Sequence, residues 1–144
     1  MTTQARIGYG TLFKSGNGAV PEVYTTLAEV TNITPPAMAR DTVDATHEES
    51  PGAWREFIAG LKDGGEVSLE LNFVPGGAAA TAMMAELDLD GALASKNRQI
   101  LFPDGSYFSF AGILTAFEPD APIDDKMSAS VTFKVSGKPT LVQA

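Results

Sequence analysis

The segment EVSLELNF, residues 66–73, alternates polar and apolar side chains without a miss. A period of two puts Val67, Leu69, Leu71 and Phe73 on one face and Glu66, Ser68, Glu70 and Asn72 on the other, the pattern of a β-strand with one side in a core. The residues just before it, SPGAWREFIAGLKDGG (50–65), do not alternate. Trp54, Phe57, Ile58 and Leu61 recur there at spacings of three, one and three, which fits an apolar stripe along about two helical turns. That run starts at Pro51-Gly52, contains Gly60 and meets Gly64-Gly65, so it is too short to be stable as an isolated helix. It reads as an insertion between strands, and it carries the chain's only tryptophan.

Working outward, MSASVTFKV (127–135) repeats the clean alternation, and KPTL (138–141) closes the chain. The run YFSFAGILTAF (107–117) is apolar on both faces, so both sides are expected to be covered, one by the core and the other by another subunit. NRQILF (97–102) leads into it through Pro103-Asp104-Gly105, a hairpin turn. Toward the N-terminus, residues 7–14 form a candidate first strand closed by Ser15-Gly16-Asn17-Gly18, and residues 24–33 a second, stopped by Thr34-Pro35-Pro36. MARDTVDATH (38–47) mixes charge and threonine on both faces, which suits an edge strand or a ribbon projecting from the body. Good helix formers fill residues 78–95, where Met83 and Leu87 share a face at a spacing of four. The expectation is a mainly β domain spanning residues 1–144, with about seven strands in two packed sheets and one helix.

At 144 residues the chain suffices for a single core without metals or disulfides, and 44% hydrophobic against 19% charged residues is a globular composition. No run approaches the ~18 apolar residues of a membrane span, and residues 1–6 lack the apolar region of a secretory signal, so the chain is expected to fold where it is made. With no cysteine, thiolate catalysis and cysteine metal sites are excluded. A formal charge of −8 speaks against ordinary nucleic-acid binding, which depends on Lys and Arg meeting phosphates. It is compatible with nucleic acid passing close by without sticking.

Catalytic, cofactor and metal signals are missing. His47 has only Glu48 and Glu49 beside it, too few donors for zinc. Gly8-Tyr9-Gly10 lacks the third glycine of a phosphate loop, and Asp88-Leu89-Asp90-Gly91 lacks the spacing of a calcium loop and reads as a helix end. The acidic group Glu118, Asp120, Asp124 and Asp125 is interrupted by Pro119 and Pro122 and reads as a solvated turn.

Two blocks, RDTVDATHEESPGAWREFIAGLKDGGEVSLELNF (40–73) and ILFPDGSYFSFAGILTAFEPDAPIDDKMSASVTFKVSGKPTL (100–141), resemble the major tail tube proteins of long-tailed, non-contractile bacteriophages of the lambda type, a group with close kin in prophages and gene transfer agents. The resemblance implies a tail tube fold, a β-sandwich or barrel-like body with one flanking helix, with residues of about 40–65 as an extended assembly loop reaching a neighbouring subunit. It implies hexameric rings stacked into a hollow tube that conducts DNA, in a virion tail assembled in the bacterial cytoplasm. The partners it implies are further copies of the chain, tail tip or baseplate, tape measure and tail terminator proteins, and DNA passing without specific binding. No enzymatic activity, cofactor or membrane is implied.

On that reading Arg40, Asp41, Ser50, Pro51, Trp54, Arg55, Phe57, Ile58 and Leu61 are candidates for the subunit interface, and Glu66 and Glu70 for the lumen wall. The alternative is an acidic β-sandwich binding module, for example for carbohydrate, built on a platform of exposed aromatics. Trp54 with Tyr24 or Tyr107 is the candidate set for it.

Overall fold

The structure, a computed structural model, describes residue 3 and residues 8–16, 21–27 and 29–143. Its strands are β1 (Leu12–Gly16), β2 (Tyr24–Thr26), β3 (Val30–Thr34), β4 (Ala39–Asp44), β5 (Phe57–Asp63), β6 (Glu66–Asn72), β7 (Ser95–Leu101), β8 (Tyr107–Asp120) and β9 (Ser128–Val142), and one α-helix, α1 (Ala78–Leu87), precedes β7. The start of the first expected strand at Ile7, and Asn17-Gly18 of its closing turn, lie outside the described residues.

Seven strands form a single antiparallel sheet in the order β2-β1-β7-β8-β9-β6-β3. In a flat sheet β1 and β9 would stand about 14 Å apart, three strand spacings of ~4.8 Å. Instead the rings of Phe13 on β1 and Phe133 on β9 stack with centroids 5.2 Å apart. The sheet is therefore curled on itself, and the two packed layers expected from the sequence are two halves of one sheet. Its edge strands β2 and β3 are not hydrogen-bonded to each other, so the curl stops short of a closed barrel. They are joined by residues 27–29 alone, a link that spans at most about 14 Å.

The core lies inside the curl. Val67, Leu69 and Leu71 from β6, Ala129, Val131, Phe133 and Val135 from β9, and Phe110 and Leu114 from β8 are buried at every second position, as the alternating pattern dictates. α1 closes one mouth over β8 with Ala80 and Met83 buried beneath it. It ends at Leu87, followed by a 3-10 turn at Gly91–Ala94, so the helix is shorter than residues 78–95. Leu87 remains partly exposed, while Met83 alone of the expected pair enters the core.

Among the described residues, one charged side chain is fully inside with the apolar ones. Arg98 on β7 is completely buried. Its Nη1 donates to Glu86 Oε1 on α1 at 2.9 Å and to Ser15 Oγ on β1 at 2.6 Å, its Nε and Nη2 face the Gly112 carbonyl on β8 at 3.4 and 3.3 Å, and its guanidinium sits 4.6 Å from the Phe133 ring centroid. One ion thus ties together a helix and three strands, with its donors satisfied as a buried charge requires.

Candidate assembly interface

Two expectations are corrected by the local structure. Residues 57–63 are a strand and not two turns of helix: β5 pairs with β4 in a separate two-stranded ribbon, through Val43↔Ile58 and Asp44↔Phe57 among others. Pairing satisfies the backbone groups that a short helix would leave open. Both faces of the ribbon meet solvent, so nothing enforces alternation, and the apolar residues fall at helix-like spacings by placement on both faces. Residues 24–33 are also not one strand, because the chain turns at Glu29, where φ is 57°, and β2 and β3 go to opposite edges of the sheet.

The ribbon's register slips between Arg40 and Thr42. Gly60 sits opposite Asp41 there, and a Cβ on it would lie 3.0 Å from the Asp41 carbonyl, so this close approach requires glycine. At the far end, the Ala45 amide donates to the Glu56 carbonyl at 2.8 Å and closes a loop. Inside that loop Ser50 is buried: its hydroxyl donates to Glu56 Oε2 at 2.6 Å and accepts from the His47 amide at 3.0 Å. A 3-10 turn at Pro51–Ala53, with Gly52 at φ 63°, then delivers Trp54 to the surface. At the root, the Asp63 carboxylate accepts from the Gly65 amide at 2.9 Å and from Lys134 Nζ at 3.0 Å. The Gly65 hydrogen bond first, and Lys134 next, hold that carboxyl below its ordinary range.

Of the expected interface residues, the structure brings Arg40, Asp41, Pro51, Trp54, Arg55, Phe57, Ile58 and Leu61 onto this ribbon with their side chains exposed, and turns Ser50 inward to brace its tip. Trp54 is 77% and Leu61 85% exposed, with Val43, Phe57 and Ile58 about half exposed around them. Arg55 approaches Asp44 at 3.7 Å, an exposed pair of small energetic weight. Glu66 and Glu70 stand with Ser68 on the outer face of β6, opposite Lys134 and Ser130 of β9. Among the described residues no group of three or more His, Asp and Glu converges as a metal site.

Both the sequence and the fold of the chain match a known group of proteins. A family model described as "Lambda phage tail tube protein, TTP" matches residues 7–142. The chain belongs to that tail tube family, and it is a structural tail subunit. Among solved structures, this tail tube protein is similar to the tail of an empty gene transfer agent particle refined with C6 symmetry, at TM-score 0.74 and 21% identity over 97% of this chain and 100% of that one. It also resembles the sheath/tube terminator of an extracellular contractile injection system in its extended state, at TM-score 0.76 and 10% identity over the whole of both chains. The baseplate of the anti-feeding prophage contains a further similar chain, at TM-score 0.70 and 9% identity over 99% of this chain and 97% of that one. At these identities the likeness is one of fold. Among curated proteins, none matches in sequence.

Arg98 and Glu86 are structural residues of this tail tube protein that sequence reasoning missed. The available signal was parity: Arg98 and Ile100 occupy alternate positions of β7 and so share its inward face.

Proposed function

We propose that six copies of this chain close into a ring, and that rings stack into a hollow tube through which DNA passes from capsid to cell. The observation that carries the reading is the ribbon: Trp54, Phe57, Ile58 and Leu61 form an apolar surface on a projection that adds little to the subunit's own core. Such a surface is typical of a site made for a partner, and the C6 symmetry of a gene transfer agent tail with the same fold suggests that the partner is another copy. The short edge strands β2 and β3 are available for neighbours to cover, as a ring would do.

The wall facing DNA is assigned to the outer face of the sheet near β6, with Glu66, Ser68 and Glu70, beside Ser130 and Thr132 of β9. Lys134, opposite Glu66 on this face, is held by the Asp63 carboxylate at 3.0 Å, so the acid and hydroxyl groups around it leave phosphates no free cation to bind. A ring of six would carry six times the formal −8, and across a gap near the ~8 Å Debye length of physiological salt this field keeps DNA free to slide. Tail tip or baseplate, tape measure and terminator proteins complete the tube's partners, and assembly takes place in the bacterial cytoplasm before the tail joins a virion. The chain acts without catalysis.

Negative-stain microscopy of the concentrated protein tests the reading, with rings or tubes as the expected result. Dispersed monomers that bind sugar would favour a carbohydrate-binding module. That module is disfavoured by geometry: Trp54 is on the ribbon, Tyr24 and Tyr107 are half-buried on the sheet, and no ring contact among the described residues joins them.

A further inference from the structure

We infer that the acidic tip of the β8–β9 hairpin of one copy docks into a basic groove at the ribbon root of a second copy placed head to tail; the inference rests on the tail tube reading for the identity of its partner. The groove, of about 630 Å³, lies between the ribbon root and β9. It is lined by the apolar Met38, Val135 and Pro139 and by the cationic Arg40, Lys62 and Lys138.

Three features of the groove call for an anion. Arg40 and Lys62 are direct cross-strand partners, a juxtaposition of like charges that destabilises a ribbon unless something neutralises it. Neither they nor Lys138 make an ion pair among the described residues, whereas Arg55, Lys96, Arg98 and Lys134 all do. The groove's acid, Asp63, is already engaged by Lys134 and the Gly65 amide.

The chain itself supplies a matching shape. At the end of β8 and in the turn to β9, Glu118, Asp120, Asp124 and Asp125 flank Ile123 along the chain, all of them exposed, and Ile123 is fully so. Lys126 makes no side-chain ion pair with them, and Pro119 and Pro122 reduce the freedom the segment would lose on docking. An exposed apolar residue flanked by acids thus matches a groove lined by apolar side chains and bases.

The two features cannot meet within one chain. The tip follows the Asn72↔Ser128 end of the β6–β9 pair, and the groove adjoins the Glu66↔Lys134 end. Six residue steps of ~3.3 Å, about 20 Å, separate those ends. A surface at one pole complementary to a surface at the other is a heterologous contact, which repeats from copy to copy and builds a stack.

The absence of native cysteine allows a direct test. Ala39→Cys in the groove and Ala121→Cys at the tip leave every charge in place, and both positions are exposed. Mixing the two single variants with a short bismaleimide linker should give a cross-linked pair that neither gives alone, with a yield that falls as salt rises. Lys62→Glu with Lys138→Glu on the groove partner should abolish the link, and Asp120→Lys with Asp124→Lys on the tip partner should restore it, circular dichroism confirming that each variant is folded. No mixed link, or a link indifferent to charge reversal, overturns the inference. Tubes that form without the link overturn it while leaving the tail tube reading intact; absence of both tubes and link overturns the two together.

Discussion

Arg98 Nη1 and Glu86 Oε1 lie 2.9 Å apart inside the curled sheet, with the arginine side chain fully shielded from water and the glutamate nearly so. Lys96 approaches the same oxygen at 3.5 Å, and Glu86 Oε2 has no hydrogen-bond partner among the described residues. The pair fixes α1 to the sheet from its C-terminal end, while Ala80 and Met83 hold its middle.

Removing one member leaves a buried charge without its counter-ion. Glu86→Ala is expected to destabilise the subunit by ~3–5 kcal/mol, measured as a shift in denaturant midpoint, whereas replacing both residues by Leu and Met should recover part of that loss. A stability change below about 1 kcal/mol for the single variant would show that the ion is not needed to dock α1.

Trp54→Ala should behave oppositely. The ring is exposed in the single chain, so the monomer's unfolding free energy should change by no more than about 0.5 kcal/mol, while ring and tube formation is lost or strongly weakened. A monomer that unfolds on this substitution would place the side chain in the core and remove it from the interface.

Gly65 turns the chain out of β5 into β6 at φ 76°, and a Cβ there would run into the Ala37 carbonyl. Gly65→Ala is expected to cost roughly 1–3 kcal/mol and to alter the ribbon's angle to the body. Equal stability together with normal tubes would count against the root being rigid.

Two carboxylates of the ribbon, Asp44 and Asp63, should titrate low. The hydrogen bonds of Thr46 lower Asp44, side chain first and backbone next, and those of Gly65 and Lys134 lower Asp63, each below its ordinary 3.8. Because the folded values are depressed, the stability these groups contribute is fully present above about pH 4 and is lost as pH falls through the folded values. Carboxyl NMR titration of the monomer should give midpoints under 3.8, and Thr46→Val should raise that of Asp44. Midpoints at or above 3.8 in the parent protein would mean the clamps are not formed in solution.

Glu70→Lys tests the lumen assignment. In tubes that assemble normally, a ring of six added cations should bind phosphates and slow DNA ejection, the more so at low salt. An unchanged ejection rate would remove Glu70 from the wall.

The sequence is most legible where one face of a strand is buried. The alternation in residues 66–72 and 128–135 survives in the structure because Val67, Leu69, Leu71, Val131 and Phe133 each fill the core. The ribbon was harder to read because solvent touches both its sides; its surplus of exposed apolar residues was visible, but their backbone conformation was not. No glycine or proline marks the break between β2 and β3, since Glu29 adopts the left-handed conformation. The facing of Arg40 and Lys62 arises from a hairpin register with an irregularity inside it, which residue spacing along the chain does not encode. The burial of Arg98 was hidden by its residue type, although its parity with Ile100 pointed inward.

β3 and β6 pair antiparallel, with Thr34 opposite Ser68 and Ile33 opposite Leu69, and the whole ribbon is spliced between them. Its two ends therefore leave and re-enter the body side by side. Replacing residues 37–64 by a tight turn would convert β3 and β6 into an ordinary hairpin without rethreading any core strand. Evolution can lengthen, shorten or exchange such an insert while the body is conserved as a chassis. If the ribbon is the assembly element proposed above, a subunit lacking the insert would still present its body to a growing tube yet offer no ribbon to the next arrival, and should act as a chain stopper when mixed with the intact protein.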